Sequence, residues 1–560
     1  MNNSLWVKYS HYFRPRLIDA LQGYDKARFS TDFTAGITVG VVALPLAIAF
    51  AIASGAKPEA GIFTAIIAGF IISALGGSRV QIGGPTGAFI IIVYGIIAQY
   101  GYANLLICTI MAGVMLIMMG AFQLGSLLKY FPRPLIIGFT NGIAVLIALS
   151  EIKDFFGLKT ASLPVEFFQK LSTLAHALPT FDPMTLGFAV MTAIFIWFYP
   201  KAWAARFPSL IVALVIGTAL VASFHLPVET IGTRFGGIPQ SLPEFTMPHF
   251  SISTIRYLIM PAFTIALLGA IESLLSAAVA DGMIDDRHDP NQELMAQGIA
   301  NIVTPFFGGI PATGAIARTA TNVRSGASSP VSGMVHALTL LLIVLIAAPL
   351  AQYIPLASLA AILLVVSINM GEWEVFQGFK NYPRPDAVVL MVTFLFTVIF
   401  GLTVAVEVGL LLSAIFFIRS MTEHSIIKLS EEHLQTPDDS EAARTRKTAP
   451  PGVLIYRLYG ALFFGVADKL ENVLHNQHTE PEVLVLNMNE VYSMDASALY
   501  ILENLHKKLT KHGKHLILCG TQTQPYSLMR QAGLFEKIGL ENIAENLTDA
   551  LLRARVLLAS

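Results

Sequence analysis

Long apolar runs alternate along most of this chain with short polar or glycine-rich breaks. A spanning helix takes roughly 20 apolar residues, so most runs read as membrane helices and not as core helices of a soluble domain. They fall at 33–53, 60–75, 83–98, 104–122, 134–149, 184–199 and 210–222, and again at 257–280, 294–307, 308–324, 330–348, 356–368, 387–400 and 408–418. That makes seven in each half, with a polar loop at 224–256 between them. The third segment of each half is interrupted by small residues and proline, GGPTGAF at 83–89 and GGIPATGAIAR at 308–318. Thr-Gly-Ala occurs in both, at 86–88 and 313–315. An odd number per half makes the second half enter the membrane in the opposite sense. The expected architecture is therefore an α-helical membrane protein of 14 segments in 7+7 inverted repeats with two half-helices.

Composition agrees: 54% of residues are apolar and 13% charged, against about 25% charged in soluble domains. No charge occurs in 80–128 or 325–371. Lys8, Arg14, Arg16, Lys26 and Arg28 precede the first run, which puts the N-terminus in the cytoplasm. The first 30 residues contain no apolar stretch of a signal peptide. After residue 420 the pattern changes. Residues 421–450 are polar and charged and read as a linker, and 451–560 mix apolar strands with helical periodicity, as in a small α/β domain. The domain reading is a cytoplasmic segment 1–32, a membrane domain 33–420 (repeats 33–225 and 257–420), the linker, and a cytoplasmic domain 451–560. The two cysteines, Cys108 and Cys519, give neither a disulfide framework nor a metal spacing, and no metal, cofactor, nucleic-acid or enzyme motif is present.

The candidate chemistry sits in the two breaks. A half-helix leaves free backbone N–H groups at its first turn and a partial charge of roughly +0.5 there. Two such ends facing each other favour an anion. The small residues Thr86, Gly87, Ala88, Gly314 and Ala315 let a ligand approach those N–H groups, and Pro85 and Pro311 suit helix entry. Arg318 strengthens the site: an intramembrane arginine faces a cavity or a partner. If its helix starts near Gly314, Arg318 lies in the first turn; if it starts at Pro311, Arg318 is a turn deeper and can pair with Glu272. Glu272 lies among uncharged residues and reads as a proton relay or as the partner in a structural ion pair, the relay favoured. Phe50, after Pro45 in the first segment, either lines the pocket or faces lipid. Thr313, Thr319, Thr321 and Asn322 read as interhelical hydrogen-bonders more than ligands. Glu407 reads as a turn residue, Arg79 and Arg324 as interfacial, and His336 as a packed side chain.

The segments 32–65 (DFTAGITVGVVALPLAIAFAIASGAKPEAGIFTA), 76–89, 269–283 and 291–327 (NQELMAQGIANIVTPFFGGIPATGAIARTATNVRSGA) together resemble the sulfate permease (SulP) family, also called solute carrier family 26. The resemblance implies elevator-like transport of a small inorganic or carboxylate anion, held between the third and tenth helices, by a homodimer in the cell inner membrane. Carried over by motif, the binding residues are Thr86, Gly87, Ala88, Ala317 and Arg318, lined by Glu272. Arg318 with Glu272 is more similar to proton-coupled bacterial members than to sodium-coupled bicarbonate members. Sulfate, bicarbonate and C4-dicarboxylate stay open as substrates, with protons as the coupled ion. An exchanger or channel and a membrane-anchored regulator are the alternatives. The C-terminal segment looks like a STAS domain. Its phosphorylated serine matches Ser497 within MDASA (494–498), where Ala496 and Ala498 replace the usual neighbours. Docking of a cytosolic protein is therefore preferred there over phospho-regulation, with Ser497 as the regulatory candidate.

Overall fold

The computed structural model describes residues 13–126, 131–160, 163–200, 203, 208–241, 243–248, 252–378, 381–424, 426–429, 450–463 and 481–559. Lys8 and most of the expected linker lie outside them. The chain divides into two compact units, Met1–Leu410 and Leu411–Ser560.

The first unit is helical. Its long elements are α1 (Lys26–Ala53), α2 (Pro58–Leu75), β1 (Gly83–Gly84), α3 (Ile90–Tyr100), α4 (Tyr102–Ala121), α5 (Arg133–Phe156), α6 (Phe167–Ala177), α7 (Pro183–Phe198) and α8 (Ser209–Phe224). They continue as α9 (Ile252–Ile284), α10 (Pro290–Val303), β2 (Thr313–Gly314), α11 (Ile316–Arg324), α12 (Val331–Ala351), α13 (Leu356–Met370), α14 (Arg384–Phe400) and α15 (Leu402–His424), which runs across the division between units. Each of the fourteen segments read from the sequence contains a helix. Seven described helices are long and apolar enough to cross a membrane: α1, α2, α4, α5, α9, α12 and α15. The stretch before α7 holds a helix the polar pattern did not announce: α6, with the 3-10 turn at its end, bends 113° from α7. Phe167, Leu171 and Leu174 recur at helical spacing, but eleven residues are too few to span a bilayer, and the charged residues around them make the stretch read as a polar connection.

Small residues bring the helices close. A Cβ on Gly298 would lie 2.5 Å from the Gly113 carbonyl oxygen, and one on Gly113 2.6 Å from that of Gly298, so α4 and α10 touch backbone to backbone. With lipid on the outside there is little hydrophobic drive between helices, and such close contact supplies the association.

In the second unit β3 (Ile426–Leu429), β4 (Val453–Leu462), β5 (Val483–Met494), β6 (His515–Cys519) and β7 (Ile543–Ala544) form one sheet in that order. The β3–β4 pair is antiparallel and the others parallel. Alternation along β5 feeds two cores: Leu484 and Leu486 pack on α16 (Ala496–Lys511) and α17 (Thr523–Gln531), while Val483 and Val485 pack on α18 (Leu547–Ala559). Strand β3 falls inside the stretch read as linker. Four residues among charged neighbours are too few to show a period, and the strand exists through its pairing with β4.

Candidate functional site

The two breaks meet. β1 pairs antiparallel with β2, Gly83 opposite Gly314 and Gly84 opposite Thr313. Antiparallel strands send the helices after them away in opposite directions, so the turn at Gly87–Phe89 and the start of α11 face each other across the pair. Side chains from the surrounding helices hold this irregular backbone. Asn301 on α10 donates to the Ala312 carbonyl and accepts from the Ala312 N–H, at 2.8 and 2.9 Å. Thr64 on α2 accepts from Ile310 N–H at 2.8 Å. Thr313 donates to the Gly269 carbonyl (2.9 Å), the Ile82 N–H donates to the Thr319 hydroxyl (3.0 Å), and Asn322 donates to the Val80 carbonyl (2.9 Å). This is how non-helical backbone is tolerated where no water can satisfy it. The threonines and Asn322 thus act as hydrogen-bonders, as the sequence favours.

α11 begins at Ile316, so Arg318 lies in its first turn. The arginine is 2% exposed. Its Nη2 donates to the Pro85 carbonyl at 2.9 Å, tying one half-helix to the other. Its guanidinium lies 5.9 Å from the centre of the Phe50 ring, a cation–π distance. Gly87 is the third member. A Cβ there would stand 3.4 Å from Ile147, 3.6 Å from Phe50 and 3.7 Å from Met370. Phe50 therefore faces the protein interior beside Arg318.

Two buried polar atoms at this point have no protein partner among the described residues: Arg318 Nη1 and Thr86 Oγ1. Both suit an anion, one as a charged donor and one as a hydroxyl donor. Ala88 and Ala315 are buried next to them, whereas Ala317 is exposed. Glu272, on α9, is 9% exposed and forms no ion pair or hydrogen bond among the described residues, so the Glu272–Arg318 pair is absent there. Its neighbours on α9 support the break: Ser273 accepts from Gln81, and Ser276 meets Thr319 at 3.1 Å. His336 is fully buried, a packed side chain as the sequence reading has it.

Sequence reasoning missed Asn301, Thr64, Gln81 and Glu293. Glu293 is 1% exposed and accepts from the Gly77 and Ser78 N–H groups at 2.9 and 3.2 Å. A signal existed: Glu293, Gln297 and Asn301 recur every four residues, a polar stripe down an apolar helix. In the second unit Ser497 is exposed in the first turn of α16, where Asp495 caps the helix by accepting from the Ala498 N–H at 2.8 Å.

Two helix starts joined by a strand pair, with a buried arginine beside them, make an arrangement of donors that suits an anion. The chain belongs to the sulfate permease family, whose model matches residues 29–393, and a STAS domain model matches residues 444–550. It is 44% identical over 95% of its length to a putative sulfate transporter of Bacillus subtilis, covering 99% of that protein. It is 31% identical over 93% of its length to the bicarbonate transporter BicA of Picosynechococcus, covering 94% of it. Among solved structures, the transmembrane domain of a cyanobacterial BicA matches with a TM-score of 0.62 and 30% identity, over 70% of this chain and 98% of that one. The murine solute carrier 26 member A9 matches in fold with a TM-score of 0.85 at 19% identity, over 99% of this chain and 95% of that one. The named relatives are transporters, so the family is one of transport and not of catalysis.

Proposed function

We propose that this protein is a secondary active transporter of small anions, sulfate, bicarbonate or a C4-dicarboxylate, driven by proton symport. It works as a homodimer in the cell inner membrane, with both termini cytoplasmic, through an elevator-like movement. The observation that carries this reading is the buried pair of unpartnered donors, Arg318 Nη1 and Thr86 Oγ1, between two opposed helix starts. Thr86, Gly87, Ala88, Ala315, Ala317, Arg318 and Phe50 form the binding site. The freedom of Glu272 from Arg318 supports the proton relay, because a carboxyl neutralised in a fixed pair would not load and release a proton. Relatives named for sulfate and for bicarbonate support both substrates. In the C-terminal unit, Ser497 belongs to a face that docks a cytosolic protein.

Uptake into proteoliposomes under an imposed proton gradient tests this, with sulfate, bicarbonate and fumarate as probes. Arg318→Ala lowers uptake by about a hundredfold or more, the loss expected for a charged donor contributing about 3 kcal/mol. Glu272→Gln leaves binding but removes the response to the proton gradient. Wild-type uptake by Arg318→Ala would refute the site, and purely downhill flux in the wild type would make the protein an exchanger or channel.

A further inference from the structure

A cavity of about 290 Å³, with several charged side chains in its wall, lies at the C-terminal end of α1. Three helices carry it directly above the Arg318 site. Phe50, Gly87 and Ile147 meet at that site. One turn further on, Ala53 on α1, Ile91 on α3 and Ser150 with Glu151 on α5 line the cavity. Residues three or four apart on a helix share a face and stand about 5.4 Å apart along it.

The cavity is also lined by Lys57, Lys153, Lys170 and Arg234, against the carboxylates Glu151 and Asp154. Most of these charges are engaged. Arg234 takes Asp154 at 2.7 Å and Glu229 at 2.5 Å. Lys153 donates to the Thr160 carbonyl at 3.0 Å, and Lys57 is an exposed side chain 3.9 Å from Glu59. Lys170, on α6, is different. It is 3% exposed and has no carboxylate within ion-pair distance among the described residues. Its ammonium lies 5.4 Å from the centre of the Tyr94 ring, and that ring is fixed by a hydrogen bond from its hydroxyl to the Leu163 carbonyl. A buried ammonium is costly unless something negative answers it.

We propose that this cavity is a second anion site, an antechamber in which Lys170 takes a small oxyanion or carboxylate before it passes between Phe50 and Ile147 to Arg318. This rests on the transport reading. Glu151 is buried in the same wall.

The test uses the full chain in proteoliposomes with Cys108→Ala and Cys519→Ala, and Ser150→Cys as the reporter. Its reaction rate is measured with anionic sulfonatoethyl and cationic aminoethyl methanethiosulfonate, with and without sulfate, bicarbonate or fumarate. The anionic reagent is expected to be favoured, and at least one of the anions to slow it. Lys170→Gln lowers the anionic-to-cationic rate ratio by about tenfold and abolishes the protection, whereas Lys170→Arg keeps both. An unchanged ratio, or protection that survives Lys170→Gln, overturns the site. Modification needs no turnover, so a wild type that takes up none of the probes counts against the transport reading while this result still stands.

Discussion

Arg318 does two jobs with two nitrogens. Nη2 is committed to the Pro85 carbonyl, and Nη1 has no protein partner among the described residues. Only a planar fork can hold the opposite half-helix and offer a second donor at a fixed angle. A lysine keeps the charge and loses the division of labour. Arg318→Lys is therefore expected to raise the half-saturating anion concentration by about tenfold or more with measurable uptake remaining, a split that initial-rate flux measurements resolve. Equal half-saturation in the two proteins would mean that charge alone suffices. Gly84 shows the same tightness. Its φ is +153°, and a Cβ there would lie 2.7 Å from Arg318 Nη1.

Among elements, the strand pair is the least self-sufficient. Two residues on each side cannot form a sheet in isolation, and their flanking backbone leans on side chains from other helices. Asn301 is the clearest support, because it satisfies both the N–H and the carbonyl of Ala312. Asn301→Leu leaves both groups buried and unpaired, at roughly 1–3 kcal/mol each. The expected result is a lower melting temperature and loss of anion uptake together. A melting temperature within error of wild type would show that the break supports itself. Outside the membrane, Asp286 ties three segments: Arg16 at 3.0 Å, Arg79 at 3.1 Å, and the loop after α9 in which it lies. Burial pushes its carboxyl up, but the Arg287 N–H and the two guanidiniums outweigh this and hold it below the ordinary range. The tie is thus intact at neutral pH and weakens only as acid reaches that lowered value.

At the scale of the molecule, the two units follow different rules. The membrane unit hides polar backbone and exposes apolar side chains, whereas the C-terminal unit buries apolar cores on both faces of a sheet. Cys519 reports on the second. Burial in the sheet pushes its thiol up to about 12, against a smaller opposing pull from Arg457, from an ordinary value of 9.0. The folded unit therefore prefers the neutral thiol. Its contribution to stability is complete below pH 9 and is lost as pH rises toward 12. In urea unfolding of the C-terminal unit, the stability gap between wild type and Cys519→Ala should narrow over that window and stay constant below it. A constant gap up to pH 12 would show that the thiol is not shielded.

By themselves, the residues in order were enough to locate the apolar segments, the two broken ones and the α/β nature of the C-terminal domain. These are local matters: whether a stretch of about 20 residues prefers lipid to water depends on its own side chains. Folding in space decided the rest. It set Arg318 on the Pro85 carbonyl and left Glu272 without it, turned Phe50 inward, gave Asn301 to Ala312, and buried Lys170 above the site. Each of these joins residues far apart in the chain. A partner for a buried polar group is fixed by which helices touch, and no periodicity within one helix encodes what its neighbour presents.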